Sequence, residues 1–316
     1  MSTRTTLAAS FLAATGRDGL RPPPTLRLLQ QHGRGAPDAS VTGPGDLGDL
    51  HERLAGEEER RRRGAWYTPR WLAADLVERA VPDRAAAGRG PVVDPSCGGG
   101  AFLLAAADRL AALGSAPHDA VAALRGRDVD PTAVAVSEAA LWWWAARRGA
   151  SARPDVRVGD ALLDDVEPAG AVVGNPPFLG QLRSSTSVDA GRRAALRVRF
   201  GDAVRAYTDP AWLFALAAVE QVAPGGHVAL VQPQSFLAAR DAGAVRDRID
   251  ACADLVHTVV DDGGAFAANV QVCAPVLRRR TEGSPAQAND WVTPLADAAG
   301  IPPVALGRRR TLGELA

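Results

Sequence analysis

Residues 91–104 restrict the fold of this chain more than any other stretch. They read Pro91-Val92-Val93-Asp94-Pro95-Ser96-Cys97-Gly98-Gly99-Gly100-Ala101-Phe102-Leu103-Leu104, an apolar run ending in Asp, three glycines and then an apolar helical pattern. A buried strand, a tight turn and the opening of a helix follow from that order. The glycines let the backbone adopt positive φ and pass close to a ligand. The turn is neither the dinucleotide fingerprint G-x-G-x-x-G nor a phosphate loop, because no Lys follows it. From Val92 onward, apolar strands alternate with amphipathic helices. Strands are expected at 91–94, 123–128, 155–159, 170–174, 227–233, 255–261 and 270–277, and helices near 100–113, 131–148, 209–223 and 240–252. That rhythm predicts an α/β fold, a doubly wound, mostly parallel seven-stranded sheet with an N-terminal helical extension.

In such a sheet, ligands sit beyond the carboxyl ends of the strands. Asn175-Pro176-Pro177-Phe178 stands there, directly after the apolar run Ala171-Val172-Val173-Gly174. The prolines fix φ and donate no N–H, so this backbone only accepts hydrogen bonds. The Asn175 side-chain oxygen beside the Pro176 carbonyl makes two acceptors for the two hydrogens of one amino group. Phe178 offers a flat face to a planar ring. A plain strand-ending turn is the structural alternative. The acidic strand end at Asp94 suits a ligand carrying an ammonium group better than one carrying a pyrophosphate, and S-adenosylmethionine is such a ligand. Asp94 is expected to face its amino acid end, with Ser96, Cys97, Gly98, Gly100 and Phe102 lining or opening the turn beside it. Asp128, in Gly126-Arg127-Asp128-Val129-Asp130-Pro131, is placed to accept from ribose hydroxyls; Asp130 competes for that role but suits the cap of the next helix. Asp160 ends the third strand. Asp94, Asp128 and Asp160 follow one another at intervals of 34 and 32 residues, each enough for one strand–helix–strand step.

Composition narrows less. The 316 residues are 47% hydrophobic, enough for a sizeable core, and 36 basic residues balance 36 acidic ones. All the basic residues are Arg, and because the formal net charge is zero, any charge facing a polyanion must be local. Cys97, Cys252 and Cys273 lack metal-ligand spacing, no metal is expected, and a reduced cytoplasmic protein is the simple reading. No apolar run approaches the ~20 residues that span a membrane. Residues 1–46, with Pro22-Pro23-Pro24, read as an irregular arm, and 7–14 as a surface helix rather than a leader. Residues 47–63 read as a helix ending in Glu57-Glu58-Glu59-Arg60-Arg61-Arg62-Arg63, whose opposite charges pair along a solvated face. Trp142-Trp143-Trp144 falls inside a helix, where packing is the safer reading than base stacking. Residues 179–207 interrupt the rhythm with Arg183, Arg192, Arg193, Arg197, Arg199 and Arg205. A long insertion at a ligand edge is usually functional, and these arginines are phosphate candidates, with a solvated lid helix as the alternative.

In four segments the chain resembles the amino-type DNA methyltransferases, specifically adenine-N6 enzymes of the single-chain restriction-modification and phage-defence kind. These are residues 47–54 with Arg62-Arg63-Gly64-Ala65-Trp66-Tyr67-Thr68-Pro69, the glycine turn, the Asn175 motif, and Phe266-Ala267-Ala268-Asn269-Val270-Gln271-Val272. The departure is His51, where that family usually has Tyr, which bears on packing more than on chemistry. The resemblance implies the S-adenosylmethionine-dependent methyltransferase fold over about 91–310, after a helical lead-in at 47–90. It implies Tyr67 and Thr68 closing over the methionine end of the cofactor, and Asp160 facing its adenine amino group. It further implies Asn175 and Pro176 holding the N6 group of a flipped-out adenine between Phe178 and Phe266. Double-stranded DNA is the expected partner and S-adenosylhomocysteine the expected product. Residues 311–316 resemble the start of a target recognition region, so a separate chain supplying recognition is a further expected partner. A protein-glutamine methyltransferase and a catalytically idle cofactor-binding subunit are the alternatives.

Overall fold

The computed structural model describes residues 3–30, 35–55, 68–178, 190–205, 207–261, 271–285 and 288–291. One sheet is built from β1 (Val92–Asp94), β2 (Leu124–Asp128), β3 (Asp155–Val158), β4 (Ala169–Gly174), β5 (Val222–Leu230), β6 (Gln232–Pro233), β7 (Ala253–Asp261) and β8 (Val272–Arg279). Its order is β3-β2-β1-β4-β5-β8-β6, with β7 paired to β8. Strands β3 to β5 run parallel, and β8 is antiparallel to β5 and β7. β6 continues the register of β5 against β8: Ala229 pairs Val276, and Gln232 pairs Cys273. The two are one line interrupted at Val231, so the seven expected strands appear with one antiparallel member. Because β1 has β2 on one side and β4 on the other, the chain changes direction there, and the crevice lies between the ends of β1 and β4.

The longer helices are α1 (Thr3–Arg17), α2 (Pro44–Leu54), α3 (Arg70–Ala80), α4 (Ala101–Ala112), α5 (Pro131–Ala146), α6 (Ala190–Phe200), α7 (Pro210–Gln221) and α8 (Gly243–Asp250). Both faces of the sheet are covered, which is why its central strands are apolar throughout. Val173, Ala229 and Val231 pack with Leu76 of α3 and Leu103 of α4, while Val172, Val228 and Leu230 pack with Trp212 and Leu216 of α7. Successive strand residues thus serve opposite cores.

The amino-terminal segment departs from expectation. It carries α1, and α1 is no surface helix: Leu7, Ala8 and Phe11 are fully buried. Phe11 meets the edges of Trp142 and Trp143 with ring centroids 6.0 and 5.9 Å away, and Trp143 Nε1 donates to Asp18. The tryptophan run therefore packs, as expected, and in doing so supplies the apolar surface that orders α1. Burying Phe11 alone is worth about 1.5–3 kcal/mol. The expected 47–63 helix is described only as α2, ending at Leu54; the Glu57–Arg63 run lies outside the described residues.

α2 lies against the glycine turn. A Cβ on Gly48 would stand 2.8 Å from the Gly99 carbonyl oxygen, and one on Gly99 would stand 2.6 Å from Gly48 Cα. Only a glycine pair permits this approach, which fixes the lead-in helix beside the crevice.

Candidate functional site

Three strand-ending aspartates share one local device. Asp94 Oδ1 accepts from the Ser96 N–H at 3.0 Å, Asp128 Oδ1 from the Asp130 N–H at 2.8 Å, and Asp160 Oδ1 from the Leu162 N–H at 3.0 Å. Each is an Asx turn that redirects the chain after its strand. The second oxygen then sets the site. Asp128 Oδ2 accepts from Gly98 N–H at 2.9 Å, fastening the glycine turn to the end of β2. Gly98 has φ +49, and nothing lies within 4 Å of where a Cβ would be, so the turn is open on its outer side. Ser137 Oγ donates to the Gly98 carbonyl from below at 2.7 Å. Asp130 caps α5 through Thr132 N–H, the role that separates it from Asp128.

Asp94 is almost fully buried. Burial first, and the nearby Asp128 carboxylate second, push its carboxyl up to about 8, against the opposing Ser96 N–H. Burial likewise pushes the Cys97 thiol far above its usual range, so it packs rather than reacts. Gly174 leaves room for Asp94: a Cβ there would stand 2.7 Å from Asp94 Oδ1. Asn175 follows, its Nδ2 donating to Thr68 Oγ1 at 3.1 Å. That bond ties the lead-in before α3 to the end of β4.

These groups surround a cavity of about 440 Å³, within the ordinary range for small-molecule sites. Thr68, Asp94, Ser96, Cys97, Gly98 and Phe102 line it on one side; Asp128, Asp160, Asn175, Pro177 and Arg192 complete it. A second cavity of about 540 Å³ between α2, α3 and α4 is larger but is lined by neither Asn175 nor the three strand-ending aspartates. The smaller is therefore the candidate site.

Other expected site residues are placed differently. Gly100 does not line the cavity; with φ +90 it opens α4 against Ser137. Pro176 does not line it, and Phe178 is 3% exposed in the core with Val173 and Val231. Arg193 and Arg197 are exposed on α6, Arg199 lies over the Phe200 ring, and the Arg205 backbone is held by Thr208. Arg192 is the exception on α6, its Nε donating to Asp160 Oδ2 at 2.8 Å. Tyr67, Arg183 and Phe266 lie outside the described residues. Sequence reasoning missed Glu52, Val129 and Phe214 on the cavity wall. His51 is there too, 3.9 Å from Asp130 Oδ2, so its place is the site rather than packing alone. Its departure from the resemblance was the signal; Glu52 and Phe214 carried none beyond helical spacing, and Val129 only its place in the turn after β2.

Ser96 Oγ is buried without a hydrogen-bond partner beside the buried Asp94 carboxyl, while Asp128 and Asp160 stand further along the same edge. Among the described residues, no group of His, Cys, Asp and Glu stands ready for a metal, and no helix is long and apolar enough to cross a membrane.

The sheet order and this edge define a methyltransferase fold, and comparison supplies the family. The family model for N-6 DNA methylases matches residues 44–289, and the chain belongs to that family. No curated protein matches it. Solved structures share the fold at low identity. A Listeria monocytogenes protein assigned to the class I S-adenosylmethionine-dependent methyltransferases is 13% identical, with TM-score 0.55, over 90% of this chain and 89% of that one. The type I restriction-modification methyltransferase subunit of Streptococcus thermophilus is 18% identical, with TM-score 0.55, over 78% and 51%. The type IIL restriction-modification enzyme MmeI, solved with DNA, is 17% identical, with TM-score 0.54, over 77% and 41%. The chain thus spans about half or less of these last two relatives.

Proposed function

We propose that this chain transfers a methyl group from S-adenosylmethionine to the N6 amino group of an adenine in double-stranded DNA, within a restriction-modification or phage-defence system. The observation that carries the reading is the convergence of Asn175 with Asp94, Asp128 and Asp160 on one cavity. The cofactor, when bound, supplies an electrophilic methyl on a sulfonium. Asp94 and Ser96 would hold its amino acid end, Asp128 its ribose and Asp160 its adenine, with Thr68 over the methionine chain.

The target base must leave the duplex to reach this edge. The Asn175 side-chain oxygen and the Pro176 carbonyl would accept both N6 hydrogens, turning the nitrogen lone pair out of conjugation and toward the methyl carbon. The N–C bond forms as the S–C bond breaks, sulfur keeps that electron pair, N6 sheds a proton, and S-adenosylhomocysteine remains. Orientation and fixed dipoles carry such a step. Because Phe178 is buried, its ring serves as a wall beneath the base only once neighbouring side chains move. Arg183, Arg193 and Arg197 are the phosphate candidates; recognition of a target sequence would come from further residues or a partner chain.

Incubation with tritium-labelled S-adenosylmethionine and duplex DNA tests the reading. Label in DNA, recovered as N6-methyladenine, is expected. Label in protein would favour a glutamine methyltransferase, and label in neither an idle cofactor-binding subunit.

A further inference from the structure

Arg192 does not behave like the arginines around it. Arg193 and Arg197 stand in solvent, whereas Arg192 turns inward and lines the candidate cavity. Its Nε reaches Asp160 Oδ2 at 2.8 Å, with Arg192 one third exposed and Asp160 less than one fifth. Its helix is anchored independently of that pair. Leu196 and Phe200 are buried in the core beneath α7, and Arg199 Nη1 donates to the Ala161 carbonyl. The helix is therefore held in place by its own contacts and presents Arg192 to Asp160.

The consequence falls on Asp160. One oxygen is fixed by its own turn through the Leu162 N–H, and the other by Arg192 from across the chain. A carboxylate has about four lone-pair positions, so fixing one on each oxygen sets the plane of the group and directs those remaining. A carboxylate oriented in this way, which accepts and does not donate when ionised, receives an exocyclic amino group and opposes a carbonyl oxygen.

We propose that Arg192 is a positioning residue for the nucleoside end of the cofactor. It orients Asp160 so that the site takes a 6-amino purine and rejects its 6-oxo counterpart. The inference rests on the methyltransferase reading, and moves Arg192 from DNA phosphate contact to cofactor selection.

The test is calorimetric binding of two probes, S-adenosylhomocysteine and S-inosylhomocysteine, to the full 316-residue chain and to Arg192→Ala and Arg192→Lys. The two probes differ in the group at position 6 and in the hydrogen-bonding character of the adjacent ring nitrogen. The unaltered chain is expected to prefer the amino probe by at least about tenfold, because the oxo probe leaves opposed acceptors unpaired. In Arg192→Ala the preference should collapse to within about threefold, and Arg192→Lys should restore part of it. Mere loosening of α6 would weaken both probes by one factor and leave their ratio intact, so an unchanged ratio in folded Arg192→Ala overturns the proposal. Equal binding of both probes by the unaltered chain overturns it as well. Binding of neither would instead bring down the methyltransferase reading, and this inference with it.

Discussion

The two halves of the carboxyl edge are organised at different ranges. On the β1–β3 side each aspartate closes a turn on a residue two positions ahead, so the groups stand ready in the free chain. On the β4–β8 side the described groups after β4 and β5 are held from further away or not at all. Asn175 is held by Thr68, 107 positions away, Phe178 is sunk in the core, and Gln232 is fully buried with neither amide atom hydrogen-bonded. Trp212 Nε1 is also buried without a partner. One half of the edge is therefore completed by short-range hydrogen bonds, and the other rests on long-range contacts and keeps a buried Gln232 amide unmet.

The comparison breaks most visibly at Asn175. Its acceptor is assigned to the reacting nitrogen alone, so Asn175→Ala should lower methyl transfer at least ~10²-fold with cofactor affinity nearly intact. Turnover surviving within a few-fold would remove the motif from catalysis.

Asp94 gives the next effect. Burial pushes its folded carboxyl up to about 8, against an ordinary 3.8 in the unfolded chain. Below about pH 4 both states hold the proton; between about 4 and 8 only the folded state does. Stability therefore falls as pH rises through that window, by on the order of 1 kcal/mol per pH unit from this group. Asp94→Asn should lack that component, read as the difference between urea-melt stabilities of the two proteins from pH 5 to 8. Parallel curves would refute it. A cationic ligand favours the ionised carboxyl, so affinity for S-adenosylmethionine should rise across the same window.

Asp128→Ala removes the proposed ribose acceptor together with the anchor of Gly98. Cofactor binding should weaken by roughly 1.5–3 kcal/mol. Calorimetry showing unchanged affinity would return the ribose to Asp130 or discard the site.

The same division governs what the sequence made legible. The strand at 91–94, the glycine turn and the Asp130 cap rest on neighbours in the chain, and the structure places them within a residue or two of expectation. Long-range facts were not legible. The burial of α1 depends on Trp142 and Trp143 presenting an apolar face over a hundred residues on. The antiparallel insertion of β8 between β5 and β7 has no local signature, because an apolar run reads alike in either direction. The arginines of 179–207 looked equivalent by composition; among those described, the contact to Asp160 sets Arg192 apart.

The smallest effect tests the unmet half of the edge. Gln232 follows β5, whose extension places the Val231 N–H on the Gly174 carbonyl at 3.0 Å, beside the Asn175 motif. A buried amide lacking hydrogen-bond partners costs about 1–3 kcal/mol of desolvation, and an unbranched apolar side chain of similar length avoids that cost. Gln232→Met should therefore raise the unfolding free energy by about 1 kcal/mol, part of the gain going to imperfect repacking. Methyl transfer measured on the same protein sharpens the comparison. A more stable variant with reduced transfer to DNA would mean that the amide is kept for what enters the site. Equal transfer at higher stability would make Gln232 a structural cost alone, and a less stable variant would show that the amide is satisfied within the fold.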